Sequence, residues 1–225
     1  MTTPRFRVPW PRRAVDVVVV LVLALVAAPI CLVVAVLVLL SSGRPVLFRQ
    51  RRSGLGGREF DIVKFRTMRP LRHPDEPDAD RQSRLGRFLR WSSLDEIPQL
   101  WNILVGEMTF IGPRPTLPEQ VARYSTHERG RLAVLPGITG WAQVNGRNAL
   151  SWPERIELDL WYIEHRSAAL DLRILVQTVG RVLRPTGVVG AGGVNPDFPG
   201  PRHPLDDSMT REDGRDGIDP TLRAG

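Results

Sequence analysis

Cysteine occurs once in this chain of 225 residues, at Cys31. That excludes an internal disulfide framework and a thiolate metal site. Histidine is nearly as scarce. His73, His127, His165 and His203 are scattered without the spacing of metal ligands, and each reads as a surface or core histidine. Lys and Arg number 31 against 24 Asp and Glu. No zinc finger, RNA-binding signature or basic helix organises that excess, so no nucleic-acid partner is expected. Internal repeats are also missing, and the length suits one catalytic domain plus an appendage.

The apolar residues are unevenly placed. The 24 positions from Val17 to Leu40 are apolar almost without a break, long enough to meet lipid and lacking the polar face of an ordinary core helix. Secretory signals have shorter apolar regions followed by a small-residue cleavage site, which the polar sequence after Leu40 does not offer, so the segment reads as retained. Arg5, Arg7, Arg12 and Arg13 precede the run, and Arg44, Arg49, Arg51 and Arg52 follow it. These arginines suit anionic headgroups, and their balance leaves both ends favouring the same side. Pro29 near the middle removes a backbone donor and predicts a kink. A re-entrant helical hairpin satisfies charge and proline together; a kinked spanning helix remains open on these features.

Beyond the apolar run, Pro45 to Gln50 and Glu59 to Phe65 read as strands of a hairpin around the glycine-rich turn Gly54 to Gly57. Pro70 to Ser83 is polar and proline-rich, an expected mobile loop. Helical spacing marks Leu85 to Trp91, Glu96 to Leu104 with Gly106 as a stop, Glu119 to Leu132, and Pro153 to Ile163. Leu170 to Leu183 carries Leu172, Leu175, Val176, Val179 and Leu183 on one stripe, to pack on the domain or lie along a membrane surface. The expected fold class is α+β, mostly helical. A re-entrant membrane anchor over 1–43 precedes an irregular cytoplasmic domain with a small β-hairpin over 44–188, followed by a disordered tail over 189–225.

The segment Arg90-Trp-Ser-Ser-Leu-Asp-Glu-Ile-Pro-Gln-Leu carries the clearest chemistry. Ser93 and Glu96 have the spacing of a helix capping box, a purely structural explanation. Pro98, however, is tolerated only in a first turn, which puts Asp95 and Glu96 at a helix start where free N–H groups can hold phosphate. Neighbouring helical side chains diverge, so the two carboxylates suit different tasks, one attacking phosphorus and the other helping to hold a divalent cation. Gly112-Pro-Arg-Pro fixes Arg114 between prolines, and a constrained guanidinium suits bidentate phosphate recognition.

Lys64-Phe-Arg-Thr-Met, Ser93-Leu-Asp-Glu, Gly112-Pro-Arg-Pro and Pro136-Gly-Ile-Thr-Gly-Trp-Ala-Gln-Val-Asn-Gly-Arg-Asn occur in this order. Together they closely resemble the bacterial sugar transferase family of monotopic phosphoglycosyl transferases, over roughly residues 10–188. The resemblance implies transfer of a sugar 1-phosphate from a UDP-sugar to undecaprenyl or another polyprenyl phosphate. UMP leaves, through a covalent aspartyl intermediate, at the first membrane step of glycoconjugate synthesis. It implies Asp95 as nucleophile, Glu96 as its partner close to Mg2+, Arg90 and Arg114 on phosphate, and Lys64 and Arg66 lining the site. Arg147 lies in a matching motif with an expected role toward the nucleotide. Placement on the cytoplasmic face of the bacterial inner membrane, among its lipids, follows from the same likeness. The chain resembles the minimal catalytic form, without the multispanning region of larger members. Ala28 stands before Pro29 where some relatives carry serine, which removes a hydroxyl able to bond a freed carbonyl in the kink. The identity of the sugar, the pathway and homo-oligomerisation stay open. Two other readings compete: a membrane-attached glycosyltransferase that moves the sugar without its phosphate, and a non-catalytic scaffold of polysaccharide assembly.

Overall fold

The computed structural model describes residues 10–70, 72–73, 76–146 and 150–183. The stretch 189–225, expected to be disordered, and Arg147 lie outside the described residues.

Helix α1 (Trp10–Ser42) is assigned as helical through Pro29. Its 33 residues correspond to about 50 Å of straight helix, more than the roughly 30 Å of a hydrocarbon core. Both ends are tied to the rest of the chain. At the N-terminal end, Arg12 donates to the Ile111 carbonyl at 2.9 Å and the Tyr162 hydroxyl at 2.8 Å. Arg13 donates to the carbonyls of Ile103 and Leu104. Buried Asp16 accepts from the Thr109 hydroxyl at 2.7 Å. At the C-terminal end, Val34 and Val38 pack with Phe65 and Leu89. Between these anchored ends, Leu21 to Ile30 are exposed except for half-buried Ala27.

Strands β1 (Leu47–Ser53) and β2 (Glu59–Phe65) form the expected antiparallel hairpin, registered from Leu47 opposite Phe65 to Ser53 opposite Glu59. Its turn needs glycine at Gly56 (φ 63°) and Gly57 (φ 80°), a region costly for residues with a Cβ. Alternation along β2 sends Phe60 and Ile62 into a core with Val20, Ile103 and Met108. Lys64 shares that face. Burying a side chain such as Ile103 completely contributes about 1.5–3 kcal/mol.

The expected loop after Pro70 contains one helical turn, α2 (Asp78–Arg81). An Arg69–Glu76 ion pair and a Met68–Gln82 bridge tie this excursion back to the body. Helix α3 (Arg84–Ser92) starts at Ser83, whose hydroxyl accepts from the Gly86 N–H at 2.9 Å. It ends at Ser93, which adopts the left-handed conformation (φ 60°) and caps α3 through its N–H on the Arg90 carbonyl. A 3-10 segment over Leu94–Gln99 leads into α4 (Leu100–Val105), stopped by Gly106 at φ 88°. The Ser93–Glu96 capping box is therefore absent. Ser93 ends α3 and, with no side-chain capping bond, also opens the 3-10 segment, whose tighter turn accommodates Pro98 and carries Asp95 and Glu96 in its first turn.

Strand β3 (Thr109–Ile111) precedes α5 (Pro118–Ala122), and a separate 3-10 segment follows over Glu128–Ala133. The single helix expected from Glu119 to Leu132 is thus two pieces. The break is chemical: the Ser125 N–H bonds Glu128 at 2.7 Å while the Ser125 hydroxyl accepts from the Glu128 N–H, a reciprocal start signal inside the stretch. Strand β4 (Gly137–Thr139) runs parallel to β3. The turn α6 (Trp141–Val144) follows, then α7 (Trp152–Glu164) with a Ser151–Glu154 capping box, and α8 (Ala168–Leu183). Leu170 and Ile174 of α8 face the core with Ile111, Val144 and Tyr162. Leu172, Leu175, Val176 and Val179, the expected stripe, are exposed.

Candidate active site

The 3-10 segment places Asp95 and Glu96 about a third of a turn apart, so their carboxylates diverge. Glu96 turns toward the hairpin. There Lys64 Nζ and an Arg114 guanidinium nitrogen both donate to the same oxygen, Oε1, each at 2.6 Å. Lys64 arrives through the β2 alternation. Arg114 arrives on a loop whose backbone is pressed against its neighbour. The Gly112 N–H donates to the Thr139 carbonyl and the Gly137 N–H to the Pro113 carbonyl, both at 2.9 Å. A Cβ at Gly112 would stand 2.4 Å from the Leu135 carbonyl oxygen, and one at Gly137 would stand 2.2 Å from the Gly112 nitrogen. Beneath the loop, Arg131 donates to Asp159 at 2.6 Å and 2.9 Å and to Tyr124 at 2.5 Å, with a longer contact to the Arg114 carbonyl at 3.4 Å.

Asp95 is 7% exposed and, among the described residues, its carboxylate accepts no hydrogen bond. Burial, with a further push from the Glu96 charge, raises its pKa to about 6 against the pull of Lys64, Arg90 and Arg114. Burial acts on Glu96 in the same direction, but Arg114 and Lys64 outweigh it and hold this carboxyl well below the usual range. Environment thus separates the two carboxylates. Glu96 is a fixed anion already engaged with cations. Asp95 is a poorly solvated carboxylate, still ionised at neutral pH and free to attack. Burial lowers the pKa of Lys64, with Glu96 opposing, while the Glu96 charge raises that of Arg114.

Arg90, in the last turn of α3, donates through Nε to the Thr67 hydroxyl at 3.0 Å and lies against Met68 Sδ at 3.0 Å. Its charge reaches Asp95 without bonding it. The Gly86 position lets α3 press close to Thr67, because a Cβ there would stand 2.0 Å from the Thr67 carbonyl oxygen. Arg66 points elsewhere. Its guanidinium donates to the carbonyls of Ser42, Gly43 and Arg44, satisfying the C-terminal end of α1. The structure therefore brings Lys64, Asp95, Glu96 and Arg114 together, with Arg90 beside them and Arg66 turned away to the end of α1.

Sequence reasoning missed Arg52 and the buried Arg131–Asp159 pair. Arg52 sits opposite Phe60 in the hairpin, hence on the Lys64 face, a placement that the strand register alone could have signalled. The pair gave no comparable signal, since 28 residues separate its members.

Mg2+ typically takes one or two protein carboxylates and completes its shell with water and substrate phosphate. The donor set fits that habit. Glu96 Oε2 and both Asp95 oxygens accept no hydrogen bond among the described residues, where no group of three or more acidic, histidine or cysteine side chains forms a denser metal cage.

A family profile described as "Bacterial sugar transferase" matches residues 8–185. The uncharacterised sugar transferase EpsL of Bacillus subtilis is 43% identical over 180 residues, covering 79% of this chain and 89% of that protein. A UDP-glucose:undecaprenyl-phosphate glucose-1-phosphate transferase of Xanthomonas campestris pv. campestris is 47% identical over 171 residues, 69% of this chain but 35% of that protein. An enzyme of the same name from Caulobacter vibrioides is 40% identical over 203 residues, 80% of this chain and 72% of that protein.

Proposed function

This chain belongs to the bacterial sugar transferase family, and from that premise we propose that it moves a sugar 1-phosphate from a UDP-sugar to a polyprenyl phosphate and releases UMP. The observation that carries the reading is the pairing of an unbonded, buried Asp95 with a Glu96 that gathers Lys64 and Arg114. Cations concentrated beside a free carboxylate suit a reaction in which that carboxylate must approach a negatively charged diphosphate. The names of the Xanthomonas and Caulobacter relatives supply the donor and acceptor classes.

In the proposed first step an Asp95 oxygen bonds to the phosphorus nearest the sugar. The bridging P–O bond breaks, and its electron pair leaves with UMP. In the second step a phosphate oxygen of the lipid attacks the same phosphorus and frees Asp95. Neither step needs a proton removed from the attacking group, which is an anion in both. Lys64 and Arg114 neutralise the phosphoryl oxygens, and Arg90 adds positive charge from the side of α3. Glu96, through the Oε2 that Lys64 and Arg114 leave unbonded, would hold Mg2+, which supplies charge neutralisation of the diphosphate when bound.

The long apolar α1 fits a membrane-anchored protein. That both of its ends bond to one body while Leu21 to Ile30 stay exposed between them supports a re-entrant anchor, and the arginines on both flanks favour the cytoplasmic face for the active site. The exposed stripe on α8 suits the lipid interface. Incubation of purified protein with a panel of UDP-sugars and undecaprenyl phosphate tests the reaction. UMP and a polyprenyl-diphosphate sugar are expected. UDP as the product identifies a glycosyltransferase, and nucleotide binding without turnover identifies a scaffold.

A further inference from the structure

Arg52 lies at the end of β1 opposite Phe60, on the side of the hairpin that carries Lys64. Two contacts pin its guanidinium. Nη2 donates to Gln50 Oε1 at 2.6 Å, and Nη1 makes a long contact of 3.4 Å to the carbonyl of Pro115, the residue after Arg114. The Ser53 N–H donates to the Thr116 carbonyl at 2.9 Å and fastens this end of the hairpin to the Arg114 loop. Nε of Arg52 is buried and has no hydrogen-bond partner.

Arg52 also makes no ion pair among the described residues. The acidic groups whose field reaches it are Glu96 and Glu119, and Glu96 Oε1 is already bonded by Lys64 and Arg114. Burying a guanidinium without a bonded carboxylate is expensive, and placing it beside a second arginine adds repulsion. Burial and the Arg114 charge together lower the Arg52 pKa to about 10, which leaves it charged at neutral pH. A site that holds two guanidiniums and an ammonium, Arg52, Arg114 and Lys64, around the two carboxylates of Asp95 and Glu96 is short of negative charge. A phosphate oxygen supplies both that charge and an acceptor for the unspent Nε–H.

We propose that Arg52 is a phosphate-binding residue of this active site, a third cation that acts with Lys64 and Arg114 on an incoming phosphate group. The proposal rests on the function argued above and adds a residue to it. The shared ligand chemistry is a phosphoryl oxyanion, whose source is either the nucleotide diphosphate or the lipid phosphate.

The test compares the full wild-type chain with Arg52→Gln and Arg52→Lys in detergent. One arm titrates UDP with Mg2+ by calorimetry. The other measures KM for polyprenyl phosphate at saturating UDP-sugar. Loss of a charge-assisted hydrogen bond should weaken one of these constants about ten- to a hundredfold in Arg52→Gln, with Arg52→Lys intermediate because it keeps charge without the fork. A loss in the first arm assigns Arg52 to the nucleotide, and a loss in the second assigns it to the lipid. Wild-type values in both arms, in a variant that keeps the wild-type Tm, overturn the proposal. If Arg52→Gln does not fold, Arg52→Lys decides, and a folded Lys variant with wild-type Kd and KM marks a structural arginine. Wild-type protein that binds UDP in an Arg52-dependent way but releases no UMP would retire the proposed reaction and keep this site. Wild-type turnover with Arg52-independent constants would do the reverse.

Discussion

Asp95 has a stability consequence separate from its chemistry. Its carboxyl is raised from 3.8 to about 6 by burial. A raised acid pKa means that the folded state favours the proton, so the stability tied to this group is fully present below pH 3.8 and lost as pH rises through about 6. The shift corresponds to about 3 kcal/mol of destabilisation at neutral pH. Asp95→Asn should therefore raise Tm by several degrees at pH 7.5, and thermal unfolding should show that advantage vanishing near pH 4. Activity should run the other way, with UMP release falling below pH 6 as Asp95 takes up its proton. Lys64 offers a second check, because it is the only lysine among the 31 basic residues. A compact ammonium can share Glu96 Oε1 with Arg114, whereas a second planar fork crowds that oxygen. Lys64→Arg is expected to lower turnover by at least about tenfold with Tm little changed; wild-type kinetics would show that charge alone suffices there. At this scale the dyad was legible because its residues adjoin in sequence. The opposite pKa shifts that part the two carboxylates were not, since burial and cross-strand cations set them.

Hairpin, α3, α7 and α8 were legible because period-2 or period-3.6 patterns span each of them and capping residues such as Ser83 and Ser151 mark their starts. The segment over 94–105 misled because Ser93 satisfies the capping-box pattern in sequence while serving as the end of α3 in space. The glycine-rich stretch from Gly112 to Gly140 has no period to read. Its structure comes from backbone-on-backbone contact, visible only once both loops are placed. Gly137→Ala should therefore cost about 2–3 kcal/mol, measured by denaturant unfolding, and should displace Arg114. The Arg131–Asp159 pair below that loop is almost completely buried, with side chains 4% and 2% exposed. Arg131→Met or Asp159→Leu alone leaves one unpaired buried charge and should cost about 3–5 kcal/mol. The double substitution should recover a large part of that loss; additive losses would show that the pair is not coupled.

For the whole molecule, α1 and the candidate site form one unit. Arg12, Arg13 and Asp16 bond one end of α1 to β3, α4 and α7, and Arg66 of the catalytic motif closes the other end. Arg12 and Arg13, read in sequence as headgroup and topology signals, thus also attach the helix to its domain. With Cys31 removed, single cysteines at Trp10 and Arg49 should be labelled from the same side of the membrane, and opposite-side labelling would identify a spanning helix. The central claim is that Asp95 becomes covalently bonded to phosphorus, and it is tested most directly without any lipid acceptor. Enzyme mixed with UDP-sugar and Mg2+ alone should release up to one equivalent of UMP. Mass spectrometry should then find a sugar-phosphate adduct on the peptide containing Asp95, absent from Asp95→Asn. Absence of both adduct and UMP, under conditions where added polyprenyl phosphate gives rapid turnover, would contradict the account and establish direct transfer in a ternary complex.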